Sequence, residues 1–196
     1  FYSRIAYRRK LPHLYLPERS YFLTWRLYQS LPQSILRKQK AVYQQAKAHL
    51  LEKYGPQDSR FSEQLLLLND AYERKINALL DQAQSGPRWL SRPEAALLVM
   101  NSLHHLESEK RWWELLAYCI MSNHVHVVCT LKPAAPPLHK IMESHKKFTA
   151  IRINRLLGRS GKFWQPETFD RLIRRREDVR DKIRYTLDNP VVAGLV

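Results

Sequence analysis

The chain has 196 residues, enough for one large domain or for one domain with an insertion. Hydrophobic residues make up 44% of it, enough for a real core, yet no run of about eighteen apolar residues predicts a membrane span. The chain holds 33 Lys and Arg against 18 Asp and Glu, a net charge of +15, which favours a polyanionic partner such as nucleic acid.

The positive charge is unevenly distributed along the chain. Residues 138–185 hold 14 basic and 6 acidic side chains, and residues 1–26 hold 6 and 1, whereas residues 31–87 hold 8 and 6. The start of the chain lacks the apolar region of a secretory signal. Cys119 and Cys129 lie in apolar surroundings typical of buried thiols in a reducing compartment. We therefore predict a cytoplasmic, nucleoid-associated protein with no membrane partner.

The first half of the chain predicts an arm, a strand and two helices. Residues 1–19 form an extended basic arm in this interpretation, because prolines interrupt any helix, and residues 21–27 are rich in strand formers. Two helices follow over residues 31–54 and 59–84, joined by a turn that contains Gly55 and Pro56. Residues 31–87 are thus a helical-hairpin insertion, which could be a surface arm, a dimer contact or a DNA clamp.

The second half alternates helices and strands. Ser91 is predicted as the N-cap of a helix that runs to about Leu106, and Pro190 is predicted to close the last helix. The other predicted elements are strands at 112–120, 124–131 and 168–173 and helices at 138–157 and 176–188.

Without the insertion, the predicted order is βαββαβ followed by one more helix. This order is that of an α+β, ferredoxin-like fold, an antiparallel sheet with helices on one face. We predict a single domain over residues 1–196, with residues 31–87 inserted after the first strand. The fold class alone carries no function.

Two histidines on one strand are the most informative feature of the sequence. His124 and His126 lie two residues apart, so their imidazoles project from the same face while Val125 points to the opposite layer. A parallel pair of imidazoles supplies two ligands for a metal ion.

The last predicted helix carries a tyrosine outside its apolar stripe. Val179, Ile183 and Leu187 follow a four-residue spacing that predicts the buried face. Tyr185 lies roughly 160° from the middle of that stripe, which predicts that it points away from the core toward a cleft. Asn189 is one turn further on the same side, where Pro190 is expected to leave its amide free to turn.

These features together resemble the HUH single-strand endonucleases, specifically the REP-associated group of single-tyrosine transposases. The resemblance depends on Met121-Ser122-Asn123-His124-Val125-His126 and on Tyr185-Thr186-Leu187-Asp188-Asn189-Pro190. It is supported by residues 9–13, 147–150, 163–165 and 169–171, and it covers nearly the whole chain outside residues 31–87.

The resemblance implies an activity and a site. Tyr185 would attack a phosphodiester near a palindromic hairpin in single-stranded DNA and form a 5′-phosphotyrosine that permits rejoining. His124, His126 and Asn189 would bind a divalent metal ion, Mg or Mn in preference to Zn. Relatives often have Gln at the position of Asn189, so Asp178 and Asp181 are alternative ligands.

Basic and aromatic residues near the site are candidates for contacts with a DNA strand, since single-strand channels combine cations with stacking platforms. The resemblance also leaves open a homodimer that exchanges its tyrosine helix. The predicted DNA contacts are Lys140, Lys146, Lys147, Arg152, Arg155, Trp164 and Arg171.

Three other functions are compatible with parts of the sequence. A catalytically silent ferredoxin-like module could bind hairpins by shape and charge. A metal-dependent nuclease could use water and form no covalent adduct. A replication initiator of the same endonuclease class is disfavoured by the short chain.

Overall fold

The computed structural model describes residues 5–8, 12–82 and 85–192. Its strands are β1 (Ile5–Arg8), β2 (Pro12–Tyr15), β3 (Ser20–Arg26), β4 (Trp113–Ile120), β5 (His124–Leu131) and β6 (Phe169–Ile173). Its α-helices are α1 (Gln33–Tyr54), α2 (Ser59–Asp81), α3 (Pro93–Ser108), α4 (Leu138–Leu156) and α5 (Arg176–Val192).

Four strands form one antiparallel sheet in the spatial order β4-β5-β3-β6. The first and third strands of the βαββαβ unit, β3 and β5, therefore lie at the centre, and the predicted ferredoxin-like fold class is confirmed. The register pairs Thr24 with His126 and Arg26 with His124. Residues that face each other across antiparallel strands share a face of the sheet, so this register decides which side chains surround the imidazoles.

The two faces of the sheet have different coverings. Trp25, Val125 and Val127 point into the main core, where α3 and α4 pack on them with side chains such as Leu103 and Ile141. The opposite face has a small apolar cluster of Phe22, Ala117, Val128 and Ile173, against which Val179 and Ile183 of α5 pack. The prediction of helices on one face thus holds for α3 and α4, whereas α5 covers the other face.

Residues 29–86 form a compact unit of their own. Its two helices are joined through Gly55, whose φ of 73° is easily reached by glycine, and Asp58 caps α2 by accepting from the Arg60 backbone N–H at 2.8 Å. The hydroxyl of Tyr43 donates to Asn69 Oδ1 at 2.8 Å and so connects α1 with α2. This unit is the helical pair predicted as an insertion; the last residues of its predicted second helix, 83–84, lie outside the described residues.

Three local predictions are corrected by the structure. Residues 5–8 and 12–15 pair as an antiparallel hairpin, so the N-terminal segment is not a single extended arm. Ser91 lies in a 3-10 turn and bonds the Arg88 carbonyl, and Arg92 precedes α3 without a side-chain cap. Helix α5 continues through Pro190 to Val192, because a proline in the last turn removes one hydrogen bond and little helix remains to be disrupted.

Both cysteines are buried and neither is in a disulfide. Within the described ranges, every helix is too short or too polar to cross a lipid bilayer.

The buried imidazole of His145 predicts a specific loss of stability in acid. His145 is 1% exposed beside Trp25, and burial lowers its pKa from 6.5 to about 3. The unfolded chain therefore binds a proton below about pH 6.5 that the folded chain does not. The free energy of unfolding should fall as pH decreases, with about 2 kcal/mol lost between pH 7 and pH 5 at this position.

Urea unfolding at both pH values would measure this loss. His145→Gln should remove this part of the pH dependence, while His49→Gln, at an exposed position on α1, should keep it. Burial also lowers the pKa of His126, so His126 adds to the loss of stability in acid, and it is present in both variants. An unchanged pH dependence in His145→Gln would contradict the assignment.

Candidate active site

Strand β5 presents His124 and His126 on the sheet face that α5 covers. Both imidazoles are completely buried, and Val125 between them lies in the opposite core, as the strand period requires. The two Nε2 atoms are 2.9 Å apart, and the rings meet edge to face with centroids 4.6 Å apart. The strand thus brings two potential ligand atoms, the two Nε2 nitrogens, close to one point.

Each imidazole is held by a polar side chain at its other nitrogen. His124 Nδ1 lies 2.6 Å from Asn123 Oδ1, and His126 Nδ1 lies 2.8 Å from Thr24 Oγ1. An amide oxygen only accepts, so His124 donates from Nδ1, and in the neutral form of the ring Nε2 carries the lone pair. Such bonds fix the tautomer and the ring orientation of histidines that bind metals.

The two Nε2 atoms suit one divalent cation. If Thr24 also accepts from His126, two lone pairs face each other at 2.9 Å, a repulsive arrangement that a cation between them relieves. Two ligands bonded at about 2.1 Å to adjacent positions of an octahedral ion are themselves about 3 Å apart. Burial, the neighbouring His124 and Lys182 lower the pKa of His126 well below 6.5, which keeps its imidazole neutral and able to act as a ligand.

Tyr185 of α5 lies against the imidazole pair in the same chain. Its ring meets His126 edge to face with centroids 5.5 Å apart, and it meets Phe22 in the same manner at 5.8 Å. The predicted orientation of α5 was wrong in one respect. Leu187 is 58% exposed, whereas Thr186 and Asn189 are buried. The helix therefore turns Thr186 and Asn189 toward the sheet, and Tyr185 lies next to them.

Asn189 is 4% exposed, and its Oδ1 is buried and has no hydrogen-bond partner among the described residues. A buried amide oxygen in this state fits a ligand to a cation, because it otherwise loses its hydration without compensation. The alternative ligands Asp178 and Asp181 are both exposed on α5.

Four residues of this face were not identified from the sequence. Phe22 stacks on His126 with centroids 5.4 Å apart and rings inclined by 14°. The ammonium of Lys182 lies 4.6 Å from the centre of the same ring and 5.7 Å from that of Tyr185. Thr24 and Arg26 complete the face opposite the two histidines. The alternation of Phe22, Thr24 and Arg26 along β3 was the available signal, since strand residues two apart share a face.

The chain matches a known family over its central part. The sequence model of the family described as "Transposase IS200 like" matches residues 96–172. The match covers less than half of the 196-residue chain. The resemblance to single-tyrosine transposases predicted from the sequence is confirmed, and the matched stretch includes the imidazole pair. Tyr185 and Asn189 lie beyond it, so their roles stay predictions.

Two solved structures are similar to this chain. One is a REP-associated tyrosine transposase bound to a REP hairpin, at 18% identity and a TM-score of 0.42 over 97% of this chain and 74% of that one. The other is a protein named as a transposase from Deinococcus radiodurans R1, at 13% identity and a TM-score of 0.34 over 94% and 97% of the two chains. Both TM-scores are below 0.5, so neither likeness bears on function here. No curated protein matches the chain.

The predicted DNA contacts fall in different surroundings. Trp164 is 6% exposed and donates to Thr149 at 2.9 Å, the geometry of a core side chain. The Lys146 ammonium donates to three carbonyl oxygens of residues 165–167 at 3.0–3.2 Å. Arg171 is half-buried opposite Phe22, on the face of the histidines. Lys147, Arg152 and Arg155 are exposed on α4, and Lys140 is exposed and paired with Glu143.

Proposed function

We propose that this protein is a transposase, a metal-dependent single-stranded DNA endonuclease that cleaves and rejoins DNA through a 5′-phosphotyrosine on Tyr185. The observation that carries the proposal is the contact between the Tyr185 ring and His126, whose Nε2 faces that of His124. A phenol beside a candidate cation site is the arrangement that nucleophilic attack on a phosphodiester requires.

His124, His126 and Asn189 would hold the divalent metal ion, with Mg or Mn as the expected species. The donor set supports this choice, because two neutral imidazoles and an amide oxygen leave positions for water and phosphate oxygens. When bound, the ion supplies Lewis-acid polarisation of the scissile phosphate.

In the proposed step, the Tyr185 oxygen attacks phosphorus, and the bond from phosphorus to the 3′ oxygen breaks. The phenol loses its proton, the departing 3′ oxygen takes one up, and a 5′-phosphotyrosine bond replaces the phosphodiester. The number of phosphoester bonds is unchanged, so a 3′ hydroxyl can reverse the step without ATP. The ammonium of Lys182 beside the Tyr185 ring favours the negative charge that develops on the phenol oxygen.

The proposed substrate is a palindromic hairpin with an adjacent single strand, as the sequence resemblance implies. A flexible single strand allows the scissile phosphate to align with the phenol and the leaving oxygen, which a paired duplex hinders. The +15 net charge suits a DNA partner. A possible homodimer stays a prediction; the phenol and the imidazole pair here come from one chain.

The decisive experiment is capture of the covalent intermediate. The protein is incubated with Mn²⁺ and hairpin oligonucleotides labelled on the 3′ side of the expected cut. A labelled protein band that survives denaturing electrophoresis supports the proposal. Cleavage without this band would instead indicate a nuclease that uses water, and binding without cleavage would indicate a silent hairpin-binding module.

The side chain that holds His124 gives a further prediction. Asn123→Ala removes the acceptor of the His124 Nδ1 proton, so the affinity for Mn²⁺ should fall by about 10- to 100-fold. Titration calorimetry measures this affinity without requiring turnover. Asn123→Asp keeps an acceptor oxygen and should restore most of the affinity, while Ser122→Ala serves as the neighbouring control. Equal affinity in Asn123→Ala and the native protein would exclude this orienting role.

A further inference from the structure

A pocket lies on the face of the sheet opposite the imidazole pair. It is formed between α3 and α4 near the beginning of β4, has a volume of about 430 Å³ and is lined by Trp112 and Phe148 among others. We refer to it as the outer pocket. Because α3 and α4 pack on the core face of the sheet, the sheet separates the outer pocket from Tyr185 and the two histidines.

The aromatic walls of the outer pocket are each paired with a cation. Lys110 Nζ lies 5.9 Å from the centre of the Trp112 ring, and Arg152 Cζ lies 5.5 Å from that of Phe148. Phe148 is 46% exposed, and Lys110 and Arg152 are also exposed, so these groups are accessible to a ligand. Sites that bind single-stranded nucleic acid commonly combine cationic side chains with aromatic rings.

The charge and polarity of the lining residues limit the kinds of ligand that the outer pocket can bind. Lys110 and Arg152 are its cationic members, and none of the described residues that line the pocket is a carboxylate. Asn101, Ser102 and Ser144 add neutral hydrogen-bonding groups near the aromatic walls. A planar base could stack on the rings while its phosphate meets the cations. A base in a duplex could not enter, because pairing holds it in the stack.

We propose that the outer pocket binds an unpaired nucleotide of the DNA substrate at a position remote from the cleaved phosphate. This inference deepens the proposed function, since it assigns a second contact for the same single strand. Arg152, predicted from sequence as one member of a single DNA-binding set, belongs in this assignment to the outer face. The DNA strand must pass around the β-sheet to reach both the outer pocket and the site at Tyr185.

Binding measurements in a Tyr185→Phe protein without metal test the pocket independently of chemistry. The probe is an oligothymidylate of about 20 nucleotides, longer than one typical single-strand site. Phe148→Ala should weaken binding about 10-fold, and Arg152→Gln should reduce the salt dependence of log K by about 0.7, the value for one phosphate contact on a single strand. Photocrosslinking of 5-iodouracil in the same probe should mark Trp112 or Phe148.

Two matched controls separate these effects from general ones. Leu67→Ala truncates a side chain that is 55% exposed on α2, and Arg37→Gln removes an exposed charge on α1. Both should bind like the parent protein, and all variants should keep the parent melting temperature. Loss of oligothymidylate affinity in Phe148→Ala upholds the pocket even if no phosphotyrosine is ever captured.

The proposal is overturned if Phe148→Ala and Arg152→Gln bind like the two controls and the crosslinks fall elsewhere. It is also overturned if Phe148→Ala leaves DNA binding intact but abolishes a concentration-dependent dimer. In that case the outer pocket is a contact between protein chains.

Discussion

Replacing Tyr185 with phenylalanine is expected to abolish the covalent protein–DNA adduct. The attacking oxygen is removed, and loss of a nucleophile lowers turnover by at least about 10³-fold. The phenylalanine ring can keep the edge contacts to His126 and Phe22, so the fold should be retained, with stability changed by less than about 1 kcal/mol. Denaturing electrophoresis with labelled hairpin DNA measures the adduct, and thermal unfolding measures the stability.

Tyr118→Phe is the matched control for this change. The Tyr118 hydroxyl lies 3.3 Å from His104 Nε2, and its ring packs on the main core, away from the imidazole pair. The control should form the adduct at the native rate. Undiminished adduct in Tyr185→Phe would assign the nucleophile to another residue, and undiminished cleavage without any adduct would favour attack by water.

Replacing His126 with alanine is expected to remove metal binding, with a loss of affinity for Mn²⁺ beyond about 100-fold. Disrupting only the partner of a ligating histidine typically costs 10- to 100-fold, and here the ligand itself is lost. Mn²⁺ at a concentration 100 times its Kd should stabilise the native protein by about 2.7 kcal/mol. His126→Ala should lose this stabilisation, as measured by urea unfolding with and without Mn²⁺.

His145→Ala provides a close control for the His126 variant. Both histidines are at least 99% buried, and each Nδ1 lies within 2.9 Å of a hydroxyl oxygen, from Thr24 for His126 and from Ser102 for His145. The two variants therefore lose similar packing, but His145 belongs to the opposite face of the sheet. Mn²⁺ should still stabilise His145→Ala. Equal stabilisation of both variants would place the metal elsewhere.

The parts of the fold that follow from local pattern were predictable. Strand β5 begins at His124 and ends at Leu131 as predicted, because alternation fixes both the strand and the common face of the two imidazoles. Helix α5 was harder to orient. Its apolar residues suggested a stripe that includes Leu187, yet the helix buries Thr186 and Asn189 instead. Burial of polar groups for a site cannot be deduced from hydrophobic periodicity.

The residues that orient the imidazoles depend on tertiary structure. Thr24 is separated from His126 by 102 residues, and only the register of β3 on β5 brings its hydroxyl to Nδ1. Lys182 similarly approaches Phe22 only because α5 packs on that face of the sheet. Both are ordinary residues in the sequence, and neither carries a motif of its own.

The ring of Phe22 contacts side chains of different chemistry. It stacks on the imidazole of His126, and the ammonium of Lys182 lies 4.6 Å from its centre. An apolar ring therefore contacts both a lysine and a histidine whose pKa that lysine helps to lower. A smaller residue at this position would remove the stacking contact of the imidazole and the cation–π contact of the lysine together, so one benzyl group supports both side chains.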